Sequence, residues 1–451
     1  MSGRMFVATL ALLAALGSSA GAQPGRDAEV LRGLAPVAAL SRTPAGRAAL
    51  GANYAVTGGI QTGDWRQPTL LPFAEQQQLA LRDVVSTYGN LAQLADGLGT
   101  TLGAAYIARA HYVDRDSFTS VSQAVADVIA YTVTAARANS TAGKYFFANL
   151  TVDGSAPVPP AVAAIMDSTG GRPDMFGHAY GFPAGSAGAG RYGDARPFQT
   201  QPSVTRISGR DYFGTPADNL VYNRGPMADL TNSPSYPSGH TTYGYAGSIL
   251  LALMVPERYP EMVTRAAEYG NHRVLVGAHY VMDVLGGRAV ALHAMAHLLA
   301  NDPDYVGQTL KGAPAIADFR AALAKARADV REALSAACGR SVAECAREDI
   351  GRLSDPAANS AFYASTQTYG LPVVHQETAR MLEDVGKIAP EAGYLLTFAF
   401  PSLTLVEAND ILTRTQGAGG GFLDDGSEFG VYSRIDLYAA SQYAARVVAG
   451  K

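Results

Sequence analysis

The sequence predicts an all-α fold, and three stretches of the chain lead to this prediction. Residues 241–255 carry no charge and have the length and composition of a buried helix. Residues 117–137 repeat apolar side chains every fourth position, which is the period of one helix face. Residues 315–337 show a similar periodicity directly after Pro314, a residue suited to the first turn of a helix.

The first 22 residues read as a secretory signal peptide. Arg4 gives a positive start, residues 5–16 form an apolar segment, and residues 20–22 offer small side chains for cleavage. The apolar segment is shorter than the roughly 20 residues that cross a membrane. We therefore expect an exported mature protein without a transmembrane segment, in the periplasm or outside the cell; an uncleaved anchor is the alternative.

The remaining chain divides by composition into three parts. Residues 23–72 read as a linker-like lead-in, and helical signals begin only after Pro72. Residues 73–300 form the predicted main domain, in which residues 154–193 are rich in Gly, Pro and Ala and are expected to be mostly loop. Residues 301–451 are expected to form a mostly helical C-terminal extension without a catalytic constellation.

The overall composition is that of an ordinary globular protein. Hydrophobic residues make up 48% of the chain and charged residues 16%, with a formal net charge of −4. No basic surface of the kind that binds nucleic acid is indicated. Cys338 and Cys345 are expected to close one small disulfide loop if the protein is exported, and to be thiols if it is cytoplasmic.

Residues 231–288 hold the chemistry that the sequence indicates. Ser238, Gly239 and His240 directly precede the uncharged helix. Exposed N–H groups and the positive end of the helix dipole favour an anion there, and glycine lets the backbone approach it closely. This segment therefore predicts an anion-binding site at a helix start.

A second cluster of polar residues follows about thirty positions later. His279 and Asp283 are four residues apart, so we expect them on one helical face, where the carboxylate holds one ring nitrogen and leaves the other free. Arg273 lies shortly upstream. Arg196, held extended by Pro197, presents a planar fork suited to two phosphate oxygens.

Together these residues resemble the signature of the type 2 phosphatidic acid phosphatase superfamily, which includes bacterial non-specific acid phosphatases and vanadium-dependent haloperoxidases. The resemblance implies a helical bundle of that type. One position departs from it, because the family lysine seven residues before Arg196 is Ala189 here; Arg191 and Lys144 are possible substitutes. The matching elements are Arg196-Pro197, Pro237-Ser238-Gly239-His240, and Arg273, His279 and Asp283 at the family spacing.

The resemblance implies hydrolysis of phosphomonoesters without a metal or other cofactor. Arg196, Arg273, the Ser238 hydroxyl and the Gly239 N–H would bind the phosphate, with vanadate as a possible inhibitor. His279, oriented by Asp283, would be the nucleophile that forms a phosphohistidine, and His240 the acid that protonates the leaving group. Residue spacing alone also allows the two histidines to exchange roles. Activity is expected to be favoured at acidic pH, since His240 must carry a proton while His279 does not.

Three alternatives remain at this stage. The same signature fits a haloperoxidase with vanadate as cofactor, and Ala189 leaves open a weakly catalytic protein that binds phosphate or phospholipid. A metal pair at His279 and Asp283 is disfavoured because His293 and His297, the nearby histidines, lack the glutamate of a zinc hydrolase helix, so no metal is expected. The substrate is expected to be a phosphorylated small molecule or lipid phosphate; neither its identity nor the oligomeric state follows from the sequence.

Overall fold

The computed structural model describes residues 24–113, 117–186, 191–201, 204–219 and 230–451. The predicted signal peptide and Ala189 lie outside these ranges, so both expectations stay predictions.

Nearly all regular structure in the described residues is helical, as the sequence predicts. The two strands, β1 (Ser208–Arg210) and β2 (Pro216–Asp218), form one small antiparallel hairpin in which Gly209 pairs with Ala217. The α-helices are α1 Pro24–Leu34, α2 Pro44–Thr62, α3 Phe73–Arg82, α4 Thr100–Ile107, α5 Gln123–Asn149, α6 Pro160–Thr169, α7 Met175–Ala179, α8 Pro197–Thr200, α9 Gly239–Met254, α10 Tyr259–Leu275, α11 Val281–Ala300, α12 Phe319–Cys338, α13 Val342–Glu348, α14 Pro356–Thr368, α15 Val385–Ile388, α16 Tyr394–Thr397, α17 Leu405–Thr415, α18 Glu428–Val431 and α19 Leu437–Ala449. Short 3₁₀ helices cover Ala35–Arg42, Ala95–Leu98, Leu230–Asn232, Pro256–Arg258, Thr378–Arg380 and Pro390–Gly393.

Three consecutive helices, α9, α10 and α11, form the centre of the bundle. Almost every residue of α9 and α11 is buried, which explains why α9 has no charged side chain and no polar face. Helix α9 packs against α10, α11 and α5, and α12 covers α5 from outside. The buried centre places the starts of α9 and α11 side by side.

The prediction that helices begin only after Pro72 is wrong. Helices α1 and α2 occupy much of residues 23–72. Thr43 is the N-cap of α2, and its hydroxyl oxygen accepts from Gly46 N at 2.9 Å. The glycine-rich composition of α2 hides its helical period. The domain boundaries themselves stay predictions.

Helix α2 has a specific role, because it satisfies the first N–H groups of α11. Asn53 Oδ1 accepts from Met282 N at 2.9 Å, and Thr57 Oγ1 accepts from Val281 N at 3.2 Å. Such N–H groups have no partner within their own helix. The segment that looked like a linker therefore holds the start of the helix that carries Asp283.

The stretch 154–193 is more ordered than its composition indicates. It contains helices α6 and α7, and its other described residues form turns and irregular segments. The expectation of a mostly loop segment is therefore only partly correct.

The C-terminal segment packs directly on the central helices. Buried Arg288 of α11 donates to the carbonyl oxygens of Thr366, Gln367 and Ser433. Cys338 and Cys345 are joined in the expected disulfide. Among the described helices, none combines the length and apolar character needed to cross a bilayer.

Candidate active site

The start of α9 and the start of α11 meet at one pocket. Ser238 is the N-cap of α9, with its Oγ accepting from Thr241 N at 3.1 Å. Its backbone N donates to Asp283 O at 3.0 Å, which joins the two helix starts. A Cβ on Gly239 would lie 3.5 Å from Ser140 Oγ and 3.9 Å from Lys144 Nζ, so this glycine faces the polar side of α5.

His279 and Asp283 pair across the beginning of a helix. His279 lies in the turn before α11, and its Nδ1 is 3.1 Å from Asp283 Oδ2. The same oxygen accepts from Tyr280 N at 2.9 Å and from the hydroxyl of Ser235. The expectation that both residues lie on one helical face is wrong, because His279 precedes the helix and only Asp283 lies in it. The Asp283 carboxylate both caps the helix and orients the imidazole.

Arg196 approaches the other ring nitrogen of His279. Its Nη1 is 3.1 Å from His279 Nε2, and this guanidinium is fully buried. Carbonyl oxygens of Ser233, Pro234 and Ala278 accept from its remaining N–H groups at 2.7 to 2.9 Å. The fork is thus fixed in place before any ligand arrives.

These two contacts indicate which tautomer His279 adopts. Arg196 can only donate, so His279 Nε2 must accept and carries a lone pair, while Nδ1–H points to Asp283. Burial, and then the charges of Arg196 and Lys144, hold the pKa of His279 well below its usual value. The ring is therefore neutral, and a guanidinium on Nε2 repels any metal ion that would bind there.

Asp283 is itself affected by its surroundings. Burial raises the pKa of this carboxyl to about 7, against the opposing effect of the Ser235 and Tyr280 donors. The carboxylate thus ionises near neutral pH in the ligand-free protein.

Of the two substitutes for the family lysine, Lys144 lies half-buried at the pocket, whereas Arg191 is exposed. Lys144 Nζ is 3.4 Å from Ser233 Oγ, a hydroxyl that also accepts from Arg196 Nη2 at 3.1 Å. Burial and the charge of Arg196 lower the pKa of Lys144 well below its usual value. Arg191 is exposed, with its guanidinium over the ring of Tyr192.

His240 and Arg273 complete the pocket. Burial holds the pKa of His240 well below its usual value, and Arg273, Lys144 and Arg196 add their repulsion in that order. Arg273 is buried and donates to Asp83 O at 3.3 Å. No carboxylate of a described residue bonds to the His240 ring, which distinguishes this histidine from His279.

The sequence analysis missed three residues that shape this pocket. Ser233 links Lys144 to Arg196, and Ser235 holds Asp283. Arg137 lowers the pKa of both Lys144 and His240. Its spacing could have identified it, because two residues seven positions apart in helix α5 lie on the same face.

Comparisons with known proteins agree with this geometry. Residues 190–304 match the family model described as PAP2 superfamily. That range contains Arg196, α9, Arg273 and the His279–Asp283 pair.

Three curated relatives carry phosphatase names. The non-specific acid phosphatase of Providencia stuartii is 29% identical over 155 residues, which cover 32% of this chain and 60% of the relative. The non-specific acid phosphatase of Salmonella typhimurium is 44% identical over 69 residues, covering 15% of this chain and 28% of the relative. The acid phosphatase of Zymomonas mobilis is 36% identical over 76 residues, covering 17% and 28%.

The matched region spans at most 60% of the length of these relatives. Over residues 190–304, the resemblance predicted from the motifs is thus confirmed: this part of the chain matches the PAP2 superfamily model and is similar to acid phosphatases.

Proposed function

We propose that the protein hydrolyses phosphomonoesters at this pocket through a covalent phosphohistidine, without a metal ion. One observation carries the proposal: a neutral His279, held by Asp283, directs an Nε2 lone pair that accepts from Arg196 into a pocket lined by the side chains of Arg196, Arg273 and Lys144. Such a nitrogen is a nucleophile, and the surrounding cations suit the charge of a phosphoryl group.

In the first step, the Nε2 lone pair of His279 attacks phosphorus in line with the ester oxygen. The P–O bond to the leaving alkoxide breaks as the N–P bond forms, and protonated His240 transfers its proton to that oxygen. Arg196, Arg273 and Lys144 stabilise the charge on the three equatorial oxygens.

In the second step, neutral His240 takes a proton from water, and the resulting hydroxide attacks the phosphohistidine. The N–P bond breaks, phosphate leaves, and both histidines return to their starting states. The overall reaction consumes one water and one ester and releases one alcohol and one phosphate.

The contacts of the two histidines support this assignment over its reverse. A nucleophile needs an orienting partner, which His279 has in Asp283. A general acid must gain a proton when substrate binds. The lowered pKa of His240 results from burial and nearby cations, and a bound phosphate dianion opposes both effects. His240 is thus charged only in the complex, where its proton is needed.

Lys144 supports turnover over simple phosphate binding. Its amine lies beside Gly239 and Arg196 from helix α5, and a bound phosphate opposes the effects that lower its pKa, so Lys144 supplies in the complex the charge that Ala189 appeared to remove. The substrate class that fits is a phosphorylated small molecule, as the names of the relatives suggest. Export to the periplasm or beyond is proposed on the signal-like residues 1–22.

The test is release of p-nitrophenol from p-nitrophenyl phosphate by the full chain between pH 4 and 8, with EDTA present. Turnover that vanadate inhibits, with a phosphohistidine recovered after rapid quenching in alkali, is the expected result. A folded protein that binds phosphate without turnover would overturn the proposal. Peroxide-dependent halogenation after vanadate loading would replace it with the haloperoxidase function.

A further inference from the structure

A second group of histidines and carboxylates lies at the opposite end of α11 from Asp283. His293 and His297 face one side of this helix, about 15 to 20 Å beyond Asp283 along its axis. Glu29 of α1, Glu391 and Glu428 of α18 surround them. Across the described ranges, the two groups of three side chains with ligand atoms within 4.8 Å of one another are both found here, and they share His297.

His297 has an unusual pair of neighbours. Its Nδ1 is 2.6 Å from Asp302 Oδ2, and an ionised carboxylate can only accept, so Nδ1 carries the proton. The Nε2 lone pair is buried and makes no hydrogen bond to any residue that the structure describes. The nearest acidic atom, Glu391 Oε1, is 3.7 Å away.

Two atoms with lone pairs therefore face each other at a distance too long for a hydrogen bond. A metal ion between them would remove this repulsion. Zinc ligands lie about 2.0–2.2 Å from the ion, which places neighbouring ligand atoms roughly 3–3.6 Å apart. The observed separation is close to that spacing.

The second histidine shows the same arrangement. His293 Nε2 is 3.1 Å from Glu29 Oε1, and its Nδ1 is 3.1 Å from the hydroxyl of Tyr305. In both histidines an oxygen atom contacts Nδ1 and Nε2 points into the group. Metal-binding histidines are typically oriented in this way. Because the Glu29 carboxylate can only accept, His293 Nε2 carries the ring proton without an ion and must give it up when an ion binds.

The charges around the two rings favour a cation. Glu29, Glu391 and Glu428 bring three carboxylates to them. Glu428 is exposed, which gives an ion a route from solvent.

We propose that Glu29, His293 and His297 bind one zinc-class divalent ion, with Glu391 beside His297 at the edge of the site and Glu428 at its rim, and that this ion is structural. Nitrogen from two histidines together with carboxylate oxygen is a zinc ligand set, while Mg²⁺ and Ca²⁺ prefer oxygen alone. The ion joins α1 to α11 and to the C-terminal segment, and Glu29 and His293 are 264 residues apart.

The test uses the full chain after EDTA treatment and dialysis. Zinc binding is measured by calorimetric titration with Zn²⁺ alone, and stability by thermal unfolding with and without the ion. One Zn²⁺ per chain is expected, with the unfolding midpoint raised by about 3 °C at a free zinc concentration 100 times Kd. Absence of stoichiometric binding would overturn the proposal.

Conservative variants locate the ion. Glu29→Gln and Glu391→Gln keep the shape of each side chain, and each is expected to weaken zinc binding at least tenfold. Glu257→Gln, which removes a carboxylate paired with Arg331 elsewhere, is the matched control and keeps full affinity. His240→Asn also keeps it, which separates this group from the catalytic pocket. Equal affinity in all four variants, or its loss in His240→Asn alone, would contradict the assignment.

Discussion

The two ends of α11 present histidines to opposite electrical environments. At its beginning, His279 faces Arg196 and Lys144, and these cations help to keep its pKa low. Near its end, His293 and His297 face Glu29 and Glu391. Histidine thus faces cations at one end of α11 and carboxylates at the other, which suits the phosphate that we propose for the first end and the metal ion that we propose for the second.

This difference teaches that the environment of a histidine decides its chemistry. In both groups a carboxylate or hydroxyl oxygen holds Nδ1 and directs Nε2 inwards. Only the charges facing Nε2 differ. Spacing alone does not distinguish a catalytic histidine from a metal-binding one, because His279 and Asp283 are four residues apart and so are His293 and His297.

The largest expected effect comes from removing the nucleophile at the first end. His279→Ala should lower kcat by about 10⁴-fold or more, because the covalent route is lost and only phosphate binding remains. Steady-state hydrolysis of p-nitrophenyl phosphate measures this, with circular dichroism to confirm folding. His375→Ala, which removes a histidine outside both groups, is the control; a folded His279→Ala variant with normal turnover would contradict the assignment.

The second effect concerns the cation that replaces the family lysine. Lys144→Met should lower kcat/KM by roughly 10²-fold, since one stabilising charge on the phosphoryl oxygens is lost. Lys144→Arg should recover part of the loss.

Arg191→Met is the matched control, because this arginine is exposed and stacks on Tyr192. It should change kcat/KM by less than about twofold. The reverse order of effects would show that Arg191 is the substitute.

The third effect is a pH dependence of anion binding at the first end. Sulfate stays a dianion between pH 5 and 8, so its own titration does not interfere. In the ligand-free pocket the pKa of His240 is lowered, and a bound anion raises it, so the complex holds a proton that the free protein lacks. Affinity should therefore rise as pH falls, by up to about tenfold per unit from this one proton.

Inhibition of phosphatase activity by sulfate measures this dependence. Protonation of Asp283, whose pKa is raised to about 7, acts in the same direction because it removes a negative charge. His240→Asn should remove the part of the pH dependence that comes from His240 and leave the part that comes from Asp283. Calorimetric titration of this variant with sulfate measures the remainder. A wild-type affinity that does not change with pH would refute the electrostatic account.

The smallest effect on catalysis is expected from metal removal at the second end. EDTA should leave the rate at 25 °C unchanged within about twofold, while the unfolding midpoint falls by about 3 °C. Activity assays and thermal unfolding on the same samples separate the two. A rate that is lost with the metal and restored by zinc would place a metal in the reaction.

The sequence predicted those parts of the site that are close together along the chain. Ser238 at the start of α9 and the pairing of His279 with Asp283 follow from spacing and helix capping. Lys144 could only be named as one of two candidates, because it reaches the pocket from α5, a helix far upstream. Local periodicity carries no information on which helices become neighbours.

The same limit explains the errors in the fold. Helix α2 binds the start of α11 through Asn53 and Thr57, across 229 and 224 residues. Its glycines gave it the composition of a linker, while burial and packing, which act only in the assembled bundle, make it helical. The expectation of no metal rests on the absence of one motif and stays a prediction, because sequence spacing carries no information on ligands that α1 and the C-terminal segment bring to α11.

The position of Arg288 has a consequence for how the chain is made. Its three carbonyl partners follow it by 78, 79 and 145 residues. At about 5–20 residues per second, a ribosome needs roughly 7–30 s to supply the last of them. During that interval the central helices lack the carbonyl groups that accept from this guanidinium, so the buried charge of Arg288 gains its last partner only when translation is nearly finished.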